Sequence, residues 1–237
     1  MNPLVSIGLV TVFLIFIYYL YVWLFNTKQV LHQNKIYLKE INNESTITNI
    51  TNASNTRYAY GIWVLVNDVL PTDVNTIFYR PNNIRVYIKP NSSSLCCEMI
   101  DKRSGNVSVI TNSFQLQKWA HIVVSVDNQF IDYYFNGKLV KTEKKQTLLL
   151  TPGGYTPDDN TIASPPIYLG NANNKTDATN YPQFDAYVSK FARWTAPLDP
   201  QSVWNEYLAG NGESFIPYGV NLDVLKNNVT QTSYHLW

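Results

Sequence analysis

Hydrophobic and polar positions follow three different patterns along the chain. From Leu4 to Phe25 the sequence LVSIGLVTVFLIFIYYLYVWLF runs without a charge. At about 1.5 Å of rise per residue, such a run crosses a hydrocarbon core of about 30 Å, which predicts a single-pass transmembrane helix in contact with the lipid bilayer. A cleaved signal peptide would have a basic start, a shorter apolar core and small residues at its end, whereas this run stays bulky through Trp23 and Phe25. Tyr18, Tyr19, Tyr21 and Trp23 crowd its C-terminal end, where amphipathic rings settle among headgroups.

The second pattern, from Lys28 to Thr56, is mixed. KIYLKEI alternates as a first strand would, and the polar NNESTITNITNASNT reads as a connection with a short strand around Thr46 to Ile50. The third pattern is strand-like alternation at short intervals: RYAYGIWVLVN from Arg57, TIFYR from Thr76, IRVYIKP from Ile84, SLCCEMI from Ser94 and NVSVI from Asn106. KWAHIVVSVDNQFIDYYFNGKLVKT from Lys118 then turns at Asp127-Asn128 and at Asn136-Gly137, and PIYLG and FDAYVSKFARW follow. Asn-Gly suits a type I′ hairpin turn, whose two central residues both need positive φ.

One soluble helix is predicted in LDPQSVWNEYLAG. Asp199 can cap it, Pro200 suits its first position, Val203, Trp204, Tyr207 and Leu208 form an apolar stripe, and Gly210 ends it. The expected organisation is an anchor over 1–27, a stem with candidate first strands over 28–56, and a sandwich with a C-terminal tail over 57–237. The expected fold class is all-β: a two-sheet antiparallel jelly-roll sandwich with one short helix, preceded by the N-terminal transmembrane helix.

Composition supports strands over helices, with 17 Tyr, 10 Phe and 6 Trp against 2 Met. Eighteen basic and 17 acidic residues leave a formal charge of +1, so no basic field exists to neutralise a phosphate backbone and nucleic acid is not an expected partner. Lys28, Lys35 and Lys39 follow the apolar run while no charged side chain precedes it, which places the large domain on the cytosolic side. Asn-x-Ser/Thr triplets at Asn43, Asn49, Asn52, Asn91, Asn106, Asn174 and Asn228 point the other way, since they are glycan acceptors if the domain is lumenal. The two cysteines, Cys96 and Cys97, are adjacent and read as free thiols on opposite faces of a strand, which favours a reducing compartment.

The stretch QKWAHIVVSVDNQFIDYYFNGKLVKT, with its Trp-x-His opening and its Tyr134-Phe135-Asn136-Gly137 hairpin, resembles the concanavalin A-like, laminin-G-like sandwich pattern. IYLG, FDAYVSKFARW and APLDPQSVWNEYLAG continue the likeness, which covers about Arg57 to Gly210. Ala186 stands where that family commonly has glycine after Phe-Asp, so a close backbone approach is altered there. The family hosts lectins, glycosidases, adhesion modules and structural pieces. More loosely, the anchored, Asn- and Tyr-rich chain resembles virion proteins of large eukaryotic DNA viruses. That likeness implies a virion internal membrane with the domain facing the capsid.

Retaining glycoside hydrolysis requires two carboxylates about 5–5.5 Å apart. Glu98 and Asp101 fall on opposite faces of a regular strand, and Asp132 and Asp185 stand alone. With three histidines, His32, His121 and His235, and no nucleophile motif beside them, no catalytic residues and no enzyme are expected. The absence of His/Cys clusters disfavours a metal such as zinc. The ligand-binding candidates are Asn173, Asn174, Asp177, Asn180, Tyr181 and Asp185, whose oxygens suit calcium as a candidate cofactor or a sugar beside an aromatic platform. Lys141, Lys144 and Lys145 read as a solvated basic turn. The leading expectation is a minor capsid protein whose sandwich docks to capsid or other virion proteins and tethers shell to membrane. The alternative is a membrane-anchored lectin that binds glycans.

Overall fold

The computed structural model describes residues 10–20, 27–39, 45–52, 55–81, 83–100, 105–145, 166–170, 184–212, 221–226 and 229–235. Residues 10–20 form helix α1. Among the described residues no helix is long and apolar enough to cross a membrane. The rest of the expected span, 4–9 and 21–25, lies outside them.

Two antiparallel sheets face each other. The first contains β1 (Lys28–His32), β2 (Ile36–Tyr37), β4 (Arg57–Val66), β9 (Trp119–Asp127), β10 (Phe130–Phe135), β11 (Lys138–Lys144) and β13 (Ala186–Trp194), in the order β1-β13-β4-β9-β10-β11 with β2 also on β13. The second contains β3 (Thr46–Ile47), β5 (Asn75–Arg80), β6 (Ile84–Ile88), β7 (Leu95–Ile100), β8 (Gly105–Thr111) and β12 (Ile167–Leu169), in the order β3-β12-β5-β6-β7-β8. The expected stem therefore contributes three strands to the sandwich itself, because β1 and β2 pair with β13 and β3 pairs with β12. The tail forms its own hairpin, β14 (Asn221–Lys226) with β15 (Val229–His235).

Alternation explains the core. On β4, Tyr58, Tyr60, Ile62, Val64 and Val66 point between the sheets, joined by Ile122, Val124 and Val126 of β9 and by Val86, Cys97 and Met99 of the facing sheet. Each fully buried aliphatic side chain contributes about 1.5–3 kcal/mol relative to exposure. The core also buries two arginines. Arg193 lies over the rings of Tyr58 and Tyr60 at 5.7 and 5.9 Å, and it donates to the carbonyls of Thr51 and Asn52, so its desolvated charge is met by dipoles and π faces. Arg80 donates to the Tyr60 hydroxyl at 3.2 Å.

Both cysteines are free and buried in β7, Cys97 in the core and Cys96 on the opposite face. Burial pushes the Cys97 thiol well above its ordinary pKa. Ala186 is fully buried and its carbonyl accepts from Leu38 N–H at 2.8 Å, so the methyl group is accommodated where the likeness expects glycine. Lys141 and Lys145 are not a solvated turn: Lys141 lies within β11 and both ammoniums close on Glu143, with Ser108 of β8 bonded to Lys145 at 2.9 Å. Against the cost of burial, which raises it, bonds from Lys141, Lys145 and Ser108 bring the Glu143 carboxyl down to about 2. This network ties the edge of one sheet to the edge of the other.

Helix α2 (Pro200–Leu208) begins as the sequence predicts, with Asp199 accepting from Ser202 N–H at 3.0 Å. It lies on the outer face of the first sheet, where Val203 is buried against Val123 and Tyr134. The predicted apolar stripe is only partly covered: Leu208 is 63% exposed and Trp204 37%.

Candidate functional site

The β9–β11 meander and the loop leading into it form a recess at one end of the sandwich. The loop is pinned at two points: Phe114 N–H donates to Ser93 at 2.9 Å, and Gln117, in the left-handed region at φ 59, donates to Val66 at 2.7 Å. Phe114 is buried with its ring centroid 5.9 Å from that of Phe135. These anchors leave Trp119 half-buried at the start of β9. Around it, Ser113, Gln115, Lys118, Phe135 and Asn136 complete a cleft of about 260 Å³. Asn136 is fixed by two bonds to the His121 backbone, accepting from its N–H at 2.9 Å and donating to its carbonyl at 2.8 Å.

An indole beside a hydroxyl, two amides and an ammonium can stack the apolar face of a ring and hydrogen-bond its polar edge. None of the cleft's lining residues is acidic and none is a histidine, so it supplies no paired acid and base.

His121 faces the other side of this strand entrance. It is 3% exposed, with its ring centroid 5.0 Å from that of Trp63 and 6.2 Å from that of Tyr207. Burial, and then the charges of Lys28 and Lys190, lower its pKa to about 3, so it packs as a neutral ring.

Of the predicted ligand set, Asn173, Asn174, Asp177, Asn180 and Tyr181 lie outside the described residues. Asp185 is described and clamps β4 to β13: its Oδ1 accepts from Asn67 Nδ2 at 2.9 Å and its carbonyl accepts from Asn67 N–H at 2.9 Å. Among the described residues no group of three or more His, Cys, Asp or Glu side chains could hold a metal ion. Asp132 accepts from Thr142 at 2.6 Å on the neighbouring strand, and Asp101 lies outside the described residues. Asn49, Asn52 and Asn91 are exposed and Asn106 lies in β8, while Asn43, Asn174 and Asn228 lie outside the described residues.

The sequence motif contains Lys118 and Trp119, but Ser113 and Gln115 sit in a stretch legible only as a connection. The cleft exists because that connection folds back beside Phe135 and Asn136.

Residues 39–204 match the laminin-G-type model described as the concanavalin A-like lectin/glucanases superfamily. The chain belongs to this family. No curated protein sequence matches it. Among solved structures, the concanavalin A-like chain is similar to one of botulinum neurotoxin type C, a toxin whose cell entry depends on interaction with two ganglioside molecules, at 15% identity and TM-score 0.51 over 69% of this chain and 39% of that one. The binding domain of Paraclostridial Mosquitocidal Protein 1 gives 13% identity and TM-score 0.54 over 77% of this chain and 47% of that one. The binding domain of botulinum neurotoxin DC, solved in complex with rat synaptotagmin II, gives 14% and 0.51 over 77% and 46%. The chain thus spans less than half the length of each of these structures, and at such identities the likeness is one of fold.

Proposed function

We propose that this chain is a membrane-tethered, non-catalytic recognition protein whose concanavalin A-like sandwich binds glycans at the Trp119 cleft. The cleft carries the reading: a half-buried indole surrounded by hydroxyl, amide and ammonium groups suits the alternating apolar and polar faces of a pyranose ring. Support comes also from the fold neighbours, one of which depends on two ganglioside molecules for cell entry and another of which was solved with rat synaptotagmin II. The tether is the apolar run from Leu4 to Phe25. Calcium has no part in this reading of the Trp119 cleft.

The test is a glycan array probed with the full chain in lipid nanodiscs, with Trp119→Ala beside it. Binding that falls about tenfold or more in the variant supports the reading, a loss within the roughly 1–3 kcal/mol that removing an aromatic stacking partner costs for a nucleobase. Equal binding by the variant, or none by the parent chain, sinks it.

A second reading is attachment to capsid proteins from a virion internal membrane. One observation favours it: β11 ends the first sheet among the described residues and exposes Leu139 and Val140 between Lys138 and Lys141, a strand edge that a neighbouring protein can extend. Cross-linking from residue 140 to a shell protein within intact particles would favour docking over glycan binding.

A further inference from the structure

A second recess lies on the outer face of the first sheet, under the C-terminal half of α2. We propose that it is a binding site for a carboxylate carried on a single six-membered ring, either a free organic acid or a carboxylated sugar at the end of a glycan. It is separate from the Trp119 cleft and does not depend on the reading given for that cleft.

Size and walls come first. The recess has a volume of about 120 Å³. This is smaller than the apolar cavity of about 150 Å³ that admits benzene, so a single ring seats only in part, with its polar group at the open mouth. Trp63 and Trp194 both line it. Trp194 lies flat against the sheet because Gly61 offers no side chain: a Cβ there would stand 2.9 Å from the indole. Trp63 is braced from α2 by Tyr207, stacked at 5.5 Å and 15°. These are rigid apolar surfaces of the kind a ring packs against.

The mouth carries the charge. Lys28 of β1, Lys190 of β13 and Glu206 of α2 meet there, two ammoniums against one carboxylate. Lys28 donates to both oxygens of Glu206, at 2.8 and 2.6 Å. Lys190 reaches the mouth through an uncommon backbone. It sits at φ 45 where the pairing of β13 with β4 slips, and its ammonium donates to the Ala209 carbonyl at 2.8 Å. A non-glycine residue held in the left-handed region is a departure that clusters at ligand sites.

The ring of His121, 3% exposed, also lines the recess. A carboxylate is acceptor-only, so at the mouth it can take N–H groups from both ammoniums, while a neutral hydroxyl spends one of its bonds as a donor.

The experiment titrates the full chain in nanodiscs with benzoate and glucuronate, and with their neutral counterparts benzyl alcohol and methyl glucoside, by calorimetry and ligand-observed NMR. At least one acid is expected to bind about tenfold or more tighter than its counterpart, as charged hydrogen bonds allow. Lys190→Gln keeps a donor for Ala209 and removes the charge, and should weaken the acid about tenfold. Glu206→Gln removes the competing carboxylate and should tighten it severalfold, a gain that misfolding does not produce. Binding of glucuronate alone identifies a glycan end as the source; binding of benzoate alone identifies a free acid. Equal affinity for acids and neutral compounds, no binding of either acid, or weaker binding in Glu206→Gln overturns the proposal.

Discussion

Asn128 and Asn136 open the two turns of one meander with nearly the same left-handed backbone, φ 54 and φ 50. Their surroundings differ. Asn128 is exposed and bonded to Thr56 and Asp127, both near the surface. Asn136 holds the His121 backbone from both sides, and Gly137 beside it is buried beneath α2. A Cβ on Gly137 would meet Trp204 at 2.8 Å and Tyr207 at 2.9 Å. The same turn chemistry is thus a simple reversal in one place and the seat of a helix in the other, and only packing distinguishes them.

The largest expected effect is on Gly137. Gly137→Ala combines a positive φ of 77° with a clash against α2, and should cost about 2–5 kcal/mol in urea unfolding of the full chain followed by tryptophan fluorescence. A change below about 0.5 kcal/mol would mean that the helix does not rest on this turn.

Next comes the pH dependence conferred by His121 under the same helix. Its folded pKa of about 3 lies below the ordinary value of 6.5, so the unfolded chain takes up the proton first as the pH falls. The stability it contributes is complete above about 6.5 and is lost progressively down to about 3, amounting to about 2 kcal/mol at pH 5. His121→Phe should lack that slope in unfolding measured at pH 7.5 and pH 5, which separates it from Glu143, whose lowered carboxyl pKa acts only below about 4.5. An unchanged slope in the variant would show that the ring is already charged when folded.

The smallest contrast pairs the two asparagines directly. Asn136→Gly keeps the turn but leaves the His121 N–H without its partner, at about 1–2 kcal/mol. Asn128→Gly should stay within about 0.5 kcal/mol. Equal losses in the two variants would erase the distinction between the turns.

Much of the sandwich was legible because alternation reports a half-buried strand: β4, β6, β7, β9 and α2 begin and end within a residue or two of their predicted limits. Local pattern could not say which face of α2 is covered, since an apolar stripe does not reveal that Leu208 projects past the sheet. Nor could it place Lys28, which pairs with Glu206 at a separation of 178 residues. The recess under α2 has this origin, since it joins residues from Lys28 to Ala209. The Trp119 cleft does not: its lining falls within Ser113 to Asn136, and what hid it was the fold of a short connection with no strand or helix pattern of its own.

The start of β1 at Lys28 also sets a leash length. With the proposed span ending at Phe25, only Asn26 and Thr27 separate it from the first paired residue, a reach of roughly 10 Å even when fully extended. So short a leash would act as a hinge pin more than a tether: the sandwich would pivot near the headgroups and would not sweep a volume in search of partners. Recognition would then be governed by which edge the pivot turns outward, and lateral neighbours in the same membrane would be met before anything that approaches from the bulk.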